Sequence, residues 1–476
     1  MTTRVRFAPS PTGNLHIGGA RTALYNYVFA KATQGRYILR IEDTDRERST
    51  KEFEESQIDD MKWLGLAHDE GPGVGGEYGP YHQFERVEIY QKFAQQLLDE
   101  GKAFYDFCSD EELAEMARKN KEEGTPPYTG KWREESHWEE AKSKIAAGEV
   151  APIRFKVPPG DVSFTDHVRG DVKFPEGMVG DFVIMRTNGV GTYNFCNVID
   201  DHQHKITHVI RGEDHVNNTL RQVLLYQAFG FSMPEFAHVS LLIGKDRQKL
   251  SKRHGATSVK QYREEGYLPE ALANYLCLLG WSHPEERDVF TINEMAEVFD
   301  LKRFSKAHAI YDIDKLKYIN SQHIKMMDEQ SLFDRAGAYI AKDSFYHQQS
   351  KEWQQKFLNL YQEKIQLFPE LNEYVAQLTS TELIMDDTLK EIFSWESTPQ
   401  IKDYVTQELA EVSSEYLSEE ILGEWMDYCK KELKIKGKPL FMGFRGVLTG
   451  QNHGPDLKPL IALTPVEVLK KRMASL

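Results

Sequence analysis

Residues that could bind the phosphates of a nucleotide lie near the start of the chain. The stretch from Arg6 to Thr22 reads RFAPSPTGNLHIGGART, a pattern that predicts a short strand, a turn and a helix beginning near His16. Gly18 and Gly19 each lower helix propensity by about 1 kcal/mol. This cost is explained if a phosphate approaches the N–H groups at the positive end of the helix, where His16 would donate a further hydrogen bond. The alternative is a surface turn before an ordinary capped helix with a packing glycine.

A second candidate phosphate-binding stretch lies later in the chain. It reads KLSKRHG over residues 249–255 and follows a predicted strand over residues 236–243. Two lysines and an arginine in such a loop suit the stabilisation of charge that develops on a triphosphate. The alternative is an exposed basic loop without a ligand.

Charged side chains follow two other predicted strands. Glu42 and Asp43 come after a predicted strand over residues 36–41, and Arg211 ends a strand that begins at Val209. Ligands of doubly wound sheets bind beyond the carboxyl ends of the strands, so these residues are candidates for one cleft. The alternatives are loop or cap acids, and an Arg211 that pairs with the neighbouring Glu213 or Asp214. Tyr193 and Asn197 would share a face if their segment is helical.

The elements that must position these residues predict an α/β protein. The first half contains alternating strands and helices, a change of texture near residue 105 predicts an α+β insertion, and the chain beyond residue 259 is predicted to be helical. We predict a doubly wound parallel sheet in two halves, with an inserted domain between them and an all-α C-terminal region. The predicted boundaries are 1–104, 105–190, 191–258, 259–325 and 326–476.

The composition restricts the class of protein. The 476 residues are 40% hydrophobic and 28% charged, as in globular proteins of about three or four domains. We find no apolar run of the roughly 20 residues needed to cross a membrane and no signal peptide, so a cytoplasmic location is expected. A net charge of −15 disfavours indiscriminate binding of nucleic acid. The four cysteines are scattered, which favours reduced thiols without a metal site. The acidic and histidine residues at 200–204 are expected to cap a helix or face solvent.

The two phosphate-binding stretches together resemble the HIGH and KMSKS signatures of class I aminoacyl-tRNA synthetases. The first stretch has the form typical of bacterial glutamyl-tRNA synthetases, with Gly19 at the fourth position of the signature, and the second has the variant KLSKR. The resemblance implies ATP-dependent attachment of L-glutamate to the 3′ end of tRNA-Glu through a glutamyl-adenylate. It also implies that the insertion binds the acceptor end and that the helical region binds the anticodon.

The resemblance also implies roles for individual residues. His16 and Lys252 are the expected catalytic residues. Contacts to ATP are expected from His16, Gly18, Gly19, Asp214, Lys249, Ser251, Lys252 and Arg253. Contacts to glutamate are expected from Arg6, Ala8, Ser10, Glu42, Tyr193, Asn197 and Arg211. Contacts to tRNA are expected from Lys302, Arg303, Lys306 and Arg445.

Within this resemblance, Arg211 is the residue expected to decide specificity. A guanidinium can bind the γ-carboxylate of glutamate with two hydrogen bonds, whereas the uncharged side chain of glutamine would leave it unpaired. A glutaminyl enzyme is therefore the less favoured alternative, as are a nucleotide-binding regulator on the same scaffold and a shortened paralogue that modifies a tRNA base. Magnesium is expected with ATP, and a monomer is expected from the family.

The insertion departs from the family in one respect. Some bacterial relatives bind zinc there through a Cys-x-Cys pair and a later Cys-x-His pair. At the matching positions this chain has Asp106 with Cys108, then Trp132 with Glu134. Because one thiol cannot build a tetrahedral site of nitrogen and sulfur ligands, we predict that no zinc is bound.

Overall fold

A computed structural model describes most of the chain as two compact units. The described residues are 2–123, 128, 130–248, 250, 257–382 and 385–476. The first unit comprises residues 1–263 and 269–313, and the second comprises residues 264–268 and 314–476. Among these described residues, no helix is both long enough and apolar enough to cross a membrane.

The first unit begins with the predicted strand, helix and strand. These are β1 (Arg4–Phe7), α1 (Ile17–Ala32) and β2 (Arg36–Leu39). The two strands pair in parallel, with Arg4 opposite Arg36 and Phe7 opposite Leu39. Parallel pairing across a helix is the geometry that brings the carboxyl ends of both strands to one edge. The predicted α/β class with a parallel sheet and a helical C-terminal region is confirmed.

The middle of the first unit contains two kinds of sheet. Its elements are α2 (Lys51–Trp63), α3 (Val87–Asp99), β3 (Ala103–Tyr105), α4 (Asp110–Glu123), α5 (Trp138–Ala146), β4 (Ile153–Phe155), β5 (Val162–Asp166), β6 (Gly170–Phe174) and β7 (Phe182–Met185). The order β3-β4-β7 forms an antiparallel sheet. The hairpin of β5 and β6 instead joins a separate sheet, because β5 pairs in parallel with a later strand.

The remaining elements of the first unit include two strands that complete that sheet and two further strands that form a separate parallel pair. They are α6 (Tyr193–Gln203), β8 (His208–Gly212), α7 (Val216–Phe229), β9 (Glu235–Val239), β10 (Leu242–Ile243), α8 (Val259–Glu264), α9 (Pro269–Leu278), α10 (Ile292–Val298) and β11 (Ala309–Ile310). The strand order is β6-β5-β9-β8. The single strand predicted over residues 236–243 is wrong, since the chain divides into β9 and β10. The break occurs where the N–H of Leu241 donates to Glu213 instead of to a neighbouring strand.

The second unit is helical in the part that the structure describes. Its helices are α11 (Ile313–Lys325), α12 (Glu329–Ala336), α13 (Lys351–Tyr361), α14 (Leu371–Thr379), α15 (Asp387–Phe393), α16 (Ser397–Glu411), α17 (Glu419–Lys431), α18 (Lys438–Thr449), α19 (Leu457–Leu463) and α20 (Val466–Ser475). Buried apolar side chains such as Leu422, Phe444 and Ile461 form its core. The prediction of an all-α C-terminal region is confirmed for the described residues.

Candidate active site

A cleft of about 420 Å³ opens in the first unit beside the carboxyl ends of β1 and β8 and the start of α1. Its lining contains every described residue that the sequence analysis assigns to ATP or glutamate: Arg6, Ala8, Ser10, His16, Gly18, Gly19, Glu42, Tyr193, Asn197, Arg211 and Asp214. Residues as far apart in the chain as Arg6 and Asp214 therefore meet in one site.

The start of α1 forms one side of this cleft. His16 is exposed and caps the helix, since its Nδ1 accepts a hydrogen bond of 3.2 Å from the N–H of Gly18. The first turn contains no acidic residue that would repel a phosphate. Among the described residues, a Cβ on Gly18 would meet only the His16 ring, at 3.5 Å, whereas a Cβ on Gly19 would press on Leu15 at 3.3 Å. Gly18 thus leaves room for a ligand, and Gly19 is also needed for packing.

Most of the predicted basic loop cannot be compared with the cleft. Lys249, Ser251, Lys252 and Arg253 lie outside the described residues. Leu250 is described, lines the cleft and donates its N–H to the carbonyl of Leu242 at 3.3 Å.

Arg211 lies on the other side of the cleft, near the end of β8, and is buried. Its Nη2 donates to Thr219 Oγ1 at 2.6 Å and to Gln222 Oε1 at 2.7 Å, and its Nε donates to His238 Nε2 at 3.3 Å. Its Nη1 has no hydrogen-bond partner among the described residues. Burial lowers the pKa of this guanidinium. A buried donor without a partner costs about 1–3 kcal/mol, which an anionic ligand in the cleft would recover.

The alternative pairing of Arg211 with its acidic neighbours is wrong for the described structure. Glu213 instead contacts Arg169, His308 Nε2 at 3.1 Å and the N–H of Leu241 at 2.8 Å. Asp214 is exposed at the edge of the cleft.

A buried pair of residues lies behind Arg211. His238 Nδ1 is 2.6 Å from Asp166 Oδ2, and the carboxylate of Asp166 also accepts the N–H groups of Val168 and Arg169. Burial lowers the pKa of His238, although the bond to Asp166 opposes this. A neutral ring that donates from Nδ1 to Asp166 has a lone pair on Nε2, an atom that lies 2.8 Å from Thr219 Oγ1 and 3.3 Å from the donor Arg211 Nε. Asp166 therefore fixes the tautomer that orients Arg211.

An ion-pair network forms the floor of the cleft between β1, β2 and α6. Asp201 accepts from Arg6 Nε at 3.1 Å and from Arg40 Nη1 at 2.6 Å. Arg40 Nη2 also reaches Asn197 Oδ1 at 2.7 Å and Glu42 Oε1 at 3.4 Å. Burial alone would raise the pKa of Asp201, but Arg6 and Arg40 hold it at about 2. For Glu42, burial outweighs both arginines and raises the pKa, so a cation bound beside Glu42 would stabilise its charge.

Helix α6 positions the remaining predicted residues, as its spacing indicated. Asn197 Nδ2 donates to the carbonyl of Tyr193 at 3.1 Å, and Tyr193 Oη is 3.1 Å from His215 Nδ1. Burial raises the pKa of Tyr193 to about 12 and lowers the pKa of His215 to about 4, so both groups are neutral near pH 7. Ser10 has an exposed side chain in the turn before α1.

Comparison with known proteins identifies the family of this fold and cleft. Residues 2–318 match the family described as tRNA synthetases class I (E and Q), catalytic domain. The chain belongs to this class I synthetase family. Residues 331–476 match the anticodon binding domain, and the resemblance inferred from the two signatures is thereby confirmed.

Full-length relatives agree with this assignment of the synthetase. The glutamate–tRNA ligase 1 of Caldicellulosiruptor saccharolyticus is 45% identical over 99% of the chain and 98% of the relative. The glutamate–tRNA ligase of Carboxydothermus hydrogenoformans is 45% identical over 99% of both. A crystal structure of a glutamate tRNA ligase from Elizabethkingia meningosepticum in complex with its amino acid has a TM-score of 0.89, with 32% identity over 100% of this chain and 99% of that one.

In the insertion of the synthetase, the positions compared with zinc ligands make other contacts. Asp106 accepts from Tyr128 Oη at 2.9 Å and from Arg154 Nε at 2.6 Å. Trp132 packs in the apolar core of the insertion, and burial raises the pKa of Cys108 to about 11, which disfavours a thiolate ligand. These residues do not fit a tetrahedral zinc site, and the absence of bound zinc stays a prediction.

The predicted tRNA contacts of the synthetase differ in exposure. Lys302 and Lys306 are exposed, and Lys306 Nζ lies 3.4 Å from the carbonyl of Arg169. Arg303 donates to the carbonyl of Ser282 at 2.8 Å. In the second unit, Arg445 donates to the carbonyl of Pro455 at 2.6 Å and is only partly exposed.

Sequence reasoning misplaced the acidic residues at the end of α6 and missed Arg40. The expectation that Asp200 and Asp201 cap a helix or face solvent is wrong, because both are buried. Asp200 accepts from Arg86 Nε at 2.7 Å and from Tyr90 Oη at 3.0 Å. One signal for Arg40 was available. This arginine directly follows three buried strand residues, and a charge at such a position must be paired inside the protein.

Proposed function

We propose that this synthetase attaches L-glutamate to the 3′ end of tRNA-Glu in two steps that consume ATP. In the first step an oxygen of the glutamate α-carboxylate attacks the α-phosphorus of ATP, the bond to the β-phosphate oxygen breaks, and pyrophosphate leaves. In the second step a terminal ribose hydroxyl of the tRNA loses its proton and attacks the activated carbonyl, and AMP leaves. Both steps depend on positioning and charge stabilisation rather than on a protein nucleophile.

The observation that carries the proposal is the unsatisfied donor of Arg211. Thr219, Gln222 and His238 occupy its other donors and fix the plane of the guanidinium. A carboxylate that accepts from Nη1 would satisfy the last buried donor, whereas the amide of glutamine would bring no negative charge to it. The γ-carboxylate of glutamate is the group that we assign to this position.

The other charges in the cleft divide between the two substrates. Glu42 is the carboxylate that we assign to the ammonium group of glutamate, while Arg6, Ala8, Ser10, Tyr193 and Asn197 would complete the amino-acid site. His16, the N–H groups at Gly18 and Gly19, and Asp214 would bind ATP together with Lys249, Ser251, Lys252 and Arg253. Magnesium bound to ATP would offset the charge of its phosphates. Glu42 and Asp214 are the acidic side chains in the described lining, which fits an ion held mainly by the phosphates.

The remaining assignments concern tRNA and the chain as a whole. We assign residues 105–190 to the acceptor end, residues 259–325 to a helical domain that contacts the tRNA stem, and residues 326–476 to the anticodon. Lys302, Arg303, Lys306 and Arg445 are the proposed tRNA contacts. A cytoplasmic monomer, with no zinc at the positions of Asp106, Cys108, Trp132 and Glu134, completes the proposal.

Aminoacylation of purified tRNAs with glutamate and glutamine, offered separately, tests this function. We expect charging of tRNA-Glu with glutamate and no charging of tRNA-Gln with glutamine. Arg211→Ala should raise the Michaelis constant for glutamate by on the order of 100-fold, because charged hydrogen bonds contribute about 1.5–3 kcal/mol each. The constant for ATP should change little.

Arg221→Ala provides the matched control for this substitution. Arg221 lies on α7, bonds to the carbonyl of Asn217 at 3.1 Å and is not part of the cleft lining. Its loss should leave both constants near those of the unmodified enzyme. Equal effects of Arg211→Ala on glutamate and on ATP would refute the specificity assignment.

A further inference from the structure

A cluster of two histidines and a glutamate lies at one end of the neighbouring strands β5, β9 and β8 of the four-stranded sheet. His167 follows β5, His208 begins β8 and Glu235 begins β9. One ligand atom from each of the three side chains lies within 4.8 Å of the other two. We infer that His167, His208 and Glu235 bind a divalent transition-metal ion such as zinc, which accepts imidazole and carboxylate ligands.

The backbone of the sheet holds the three residues together without a metal. His208 and Glu235 are directly opposite each other in the parallel pairing of β8 with β9, so their side chains leave the same face. The N–H of Glu235 donates to the carbonyl of Thr207 at 2.9 Å, and the N–H of His167 donates to the carbonyl of Phe236 at 2.8 Å. The ligands are therefore fixed by the fold and need not be ordered by the ion.

The side-chain distances require only small adjustments. His167 Nε2 is 2.6 Å from Glu235 Oε2, and His208 Nε2 is 3.7 Å from Glu235 Oε1. Ligands bonded at about 2.0–2.1 Å to a tetrahedral zinc ion lie about 3.4 Å apart. Small side-chain rotations reach this spacing. Solvent reaches Glu235, whose side chain is 60% exposed, so water can fill the fourth position.

His208 has the second contact that metal-bound histidines usually possess. Its Nδ1 lies 2.8 Å from the hydroxyl of Thr207, which leaves Nε2 for the ion. The ring of Phe29 packs against it edge-on, with the ring centres 4.9 Å apart.

The position of the cluster indicates a stabilising role. His208 begins β8, whereas Arg211 and Gly212 near its other end line the cleft, about 10 Å away along the strand. The ladder between β5 and β9 contains the single pair Asp166 and Phe236. An ion held by His167, Glu235 and His208 would link the end of β5 to the starts of β8 and β9. We therefore expect bound metal to raise thermal stability and to leave glutamate activation unchanged.

Titration of the chelator-treated, full-length enzyme with Co²⁺ and Zn²⁺ tests this site. We expect one Co²⁺ per chain with the visible absorption of a tetrahedral ion, displacement by Zn²⁺, and a higher melting temperature with either metal. His208→Gln and Glu235→Gln should each weaken binding by more than the roughly 10–100-fold that loss of an outer contact costs. Their glutamate activation should match that of the unmodified enzyme, which shows that they are folded.

His137→Gln is the matched control, because His137 and Glu140 form another half-exposed histidine–glutamate pair, with 3.6 Å between Nδ1 and Oε2. It should retain the cobalt spectrum and the stabilisation by metal. The inference is overturned if the unmodified enzyme binds no cobalt. It is likewise overturned if His208→Gln and Glu235→Gln bind cobalt as tightly as the control does.

Discussion

The two halves of the cleft are built in different ways. On the amino-acid half, Arg211, Arg6 and Glu42 are buried, and described side chains hold each of them in place. On the nucleotide half, His16 is exposed at the start of α1. A buried charge must be paired or it destabilises the fold, whereas a helix N-terminus offers its N–H groups without any such network. In the proposed function, selection of the amino acid is therefore built into the protein core.

This difference predicts how substitutions will act. A change on the amino-acid half removes a preorganised charge and should alter the binding of glutamate alone. A change on the nucleotide half should alter the rate of adenylate formation, because charge develops there during the reaction. The following substitutions test this division in order of decreasing effect.

Replacement of Glu42 by glutamine should have the largest effect. It leaves Arg40 paired with Asp201 and Asn197, so the fold is retained, but it removes the negative charge assigned to the ammonium group. The Michaelis constant for glutamate should rise by on the order of 1,000-fold, since breaking a buried charge pair costs about 3–5 kcal/mol. Steady-state pyrophosphate exchange measures this constant.

The neighbouring acid provides the control for Glu42→Gln. Asp43 Oδ1 accepts the N–H of Phe84 at 2.8 Å, a bond that Asp43→Asn can keep. This variant should change the constant for glutamate by less than about threefold, as expected for a partly exposed charge. A similar rise in both variants would show that general electrostatics, and not contact with the ammonium group, is responsible.

His16 separates the two roles of the helix start. His16→Ala removes both the helix cap and the proposed donor to phosphate, whereas asparagine can still accept from the N–H of Gly18. Both variants should form glutamyl-adenylate about 10–100-fold more slowly at saturating glutamate. Only His16→Ala should also lose about 1 kcal/mol of stability. Full activity in His16→Asn would limit the residue to capping.

Substitution of Asp166 should weaken the binding of glutamate, as substitution of Arg211 does, but to a smaller extent. In Asp166→Asn the side-chain amide no longer fixes the proton of His238 on Nδ1, so Nε2 ceases to be a reliable acceptor for Arg211. The Michaelis constant for glutamate should rise about tenfold, in the range of outer-contact effects, while that for ATP stays constant. Asp171→Asn, on the exposed side of the adjoining strand β6, is the control. Parallel changes in both constants would indicate a loss of fold instead.

The residues that line the cleft were easier to predict from the sequence than the buried residues that hold them in place. Residues that line the cleft, such as Arg211 and Glu42, end or follow predicted strands, and the geometry of parallel sheets brings strand ends together. The buried charges behind them pair across positions that no local pattern connects, as Asp201 does with Arg6 and Arg40. A periodicity describes which residues face inward, but it does not identify which buried charges meet. The two-part strand after β8 escaped prediction for the same reason, since a side chain distant in sequence, Glu213, ends its ladder.

The smallest expected effect is on the pH dependence of stability. It tests the buried residues that lie behind the amino-acid half of the cleft. His204 is buried against Tyr81, and burial, together with Arg40 and Arg86, lowers its pKa to about 2. In the unfolded chain the pKa of histidine is about 6.5. Between these values the unfolded state binds a proton that the folded state excludes, so stability falls as the pH decreases below about 6.5, by up to about 1.4 kcal/mol per pH unit.

His204→Phe removes this proton from both states. Calorimetry at about pH 7.5 and about pH 5.5 should therefore show a smaller loss of melting temperature in the variant than in the unmodified enzyme. A stability difference between the two proteins that is the same at both pH values would mean that His204 binds its proton equally well in the folded enzyme. Burial beside Tyr81, together with Arg40 and Arg86, would then not exclude a further positive charge from the folded enzyme.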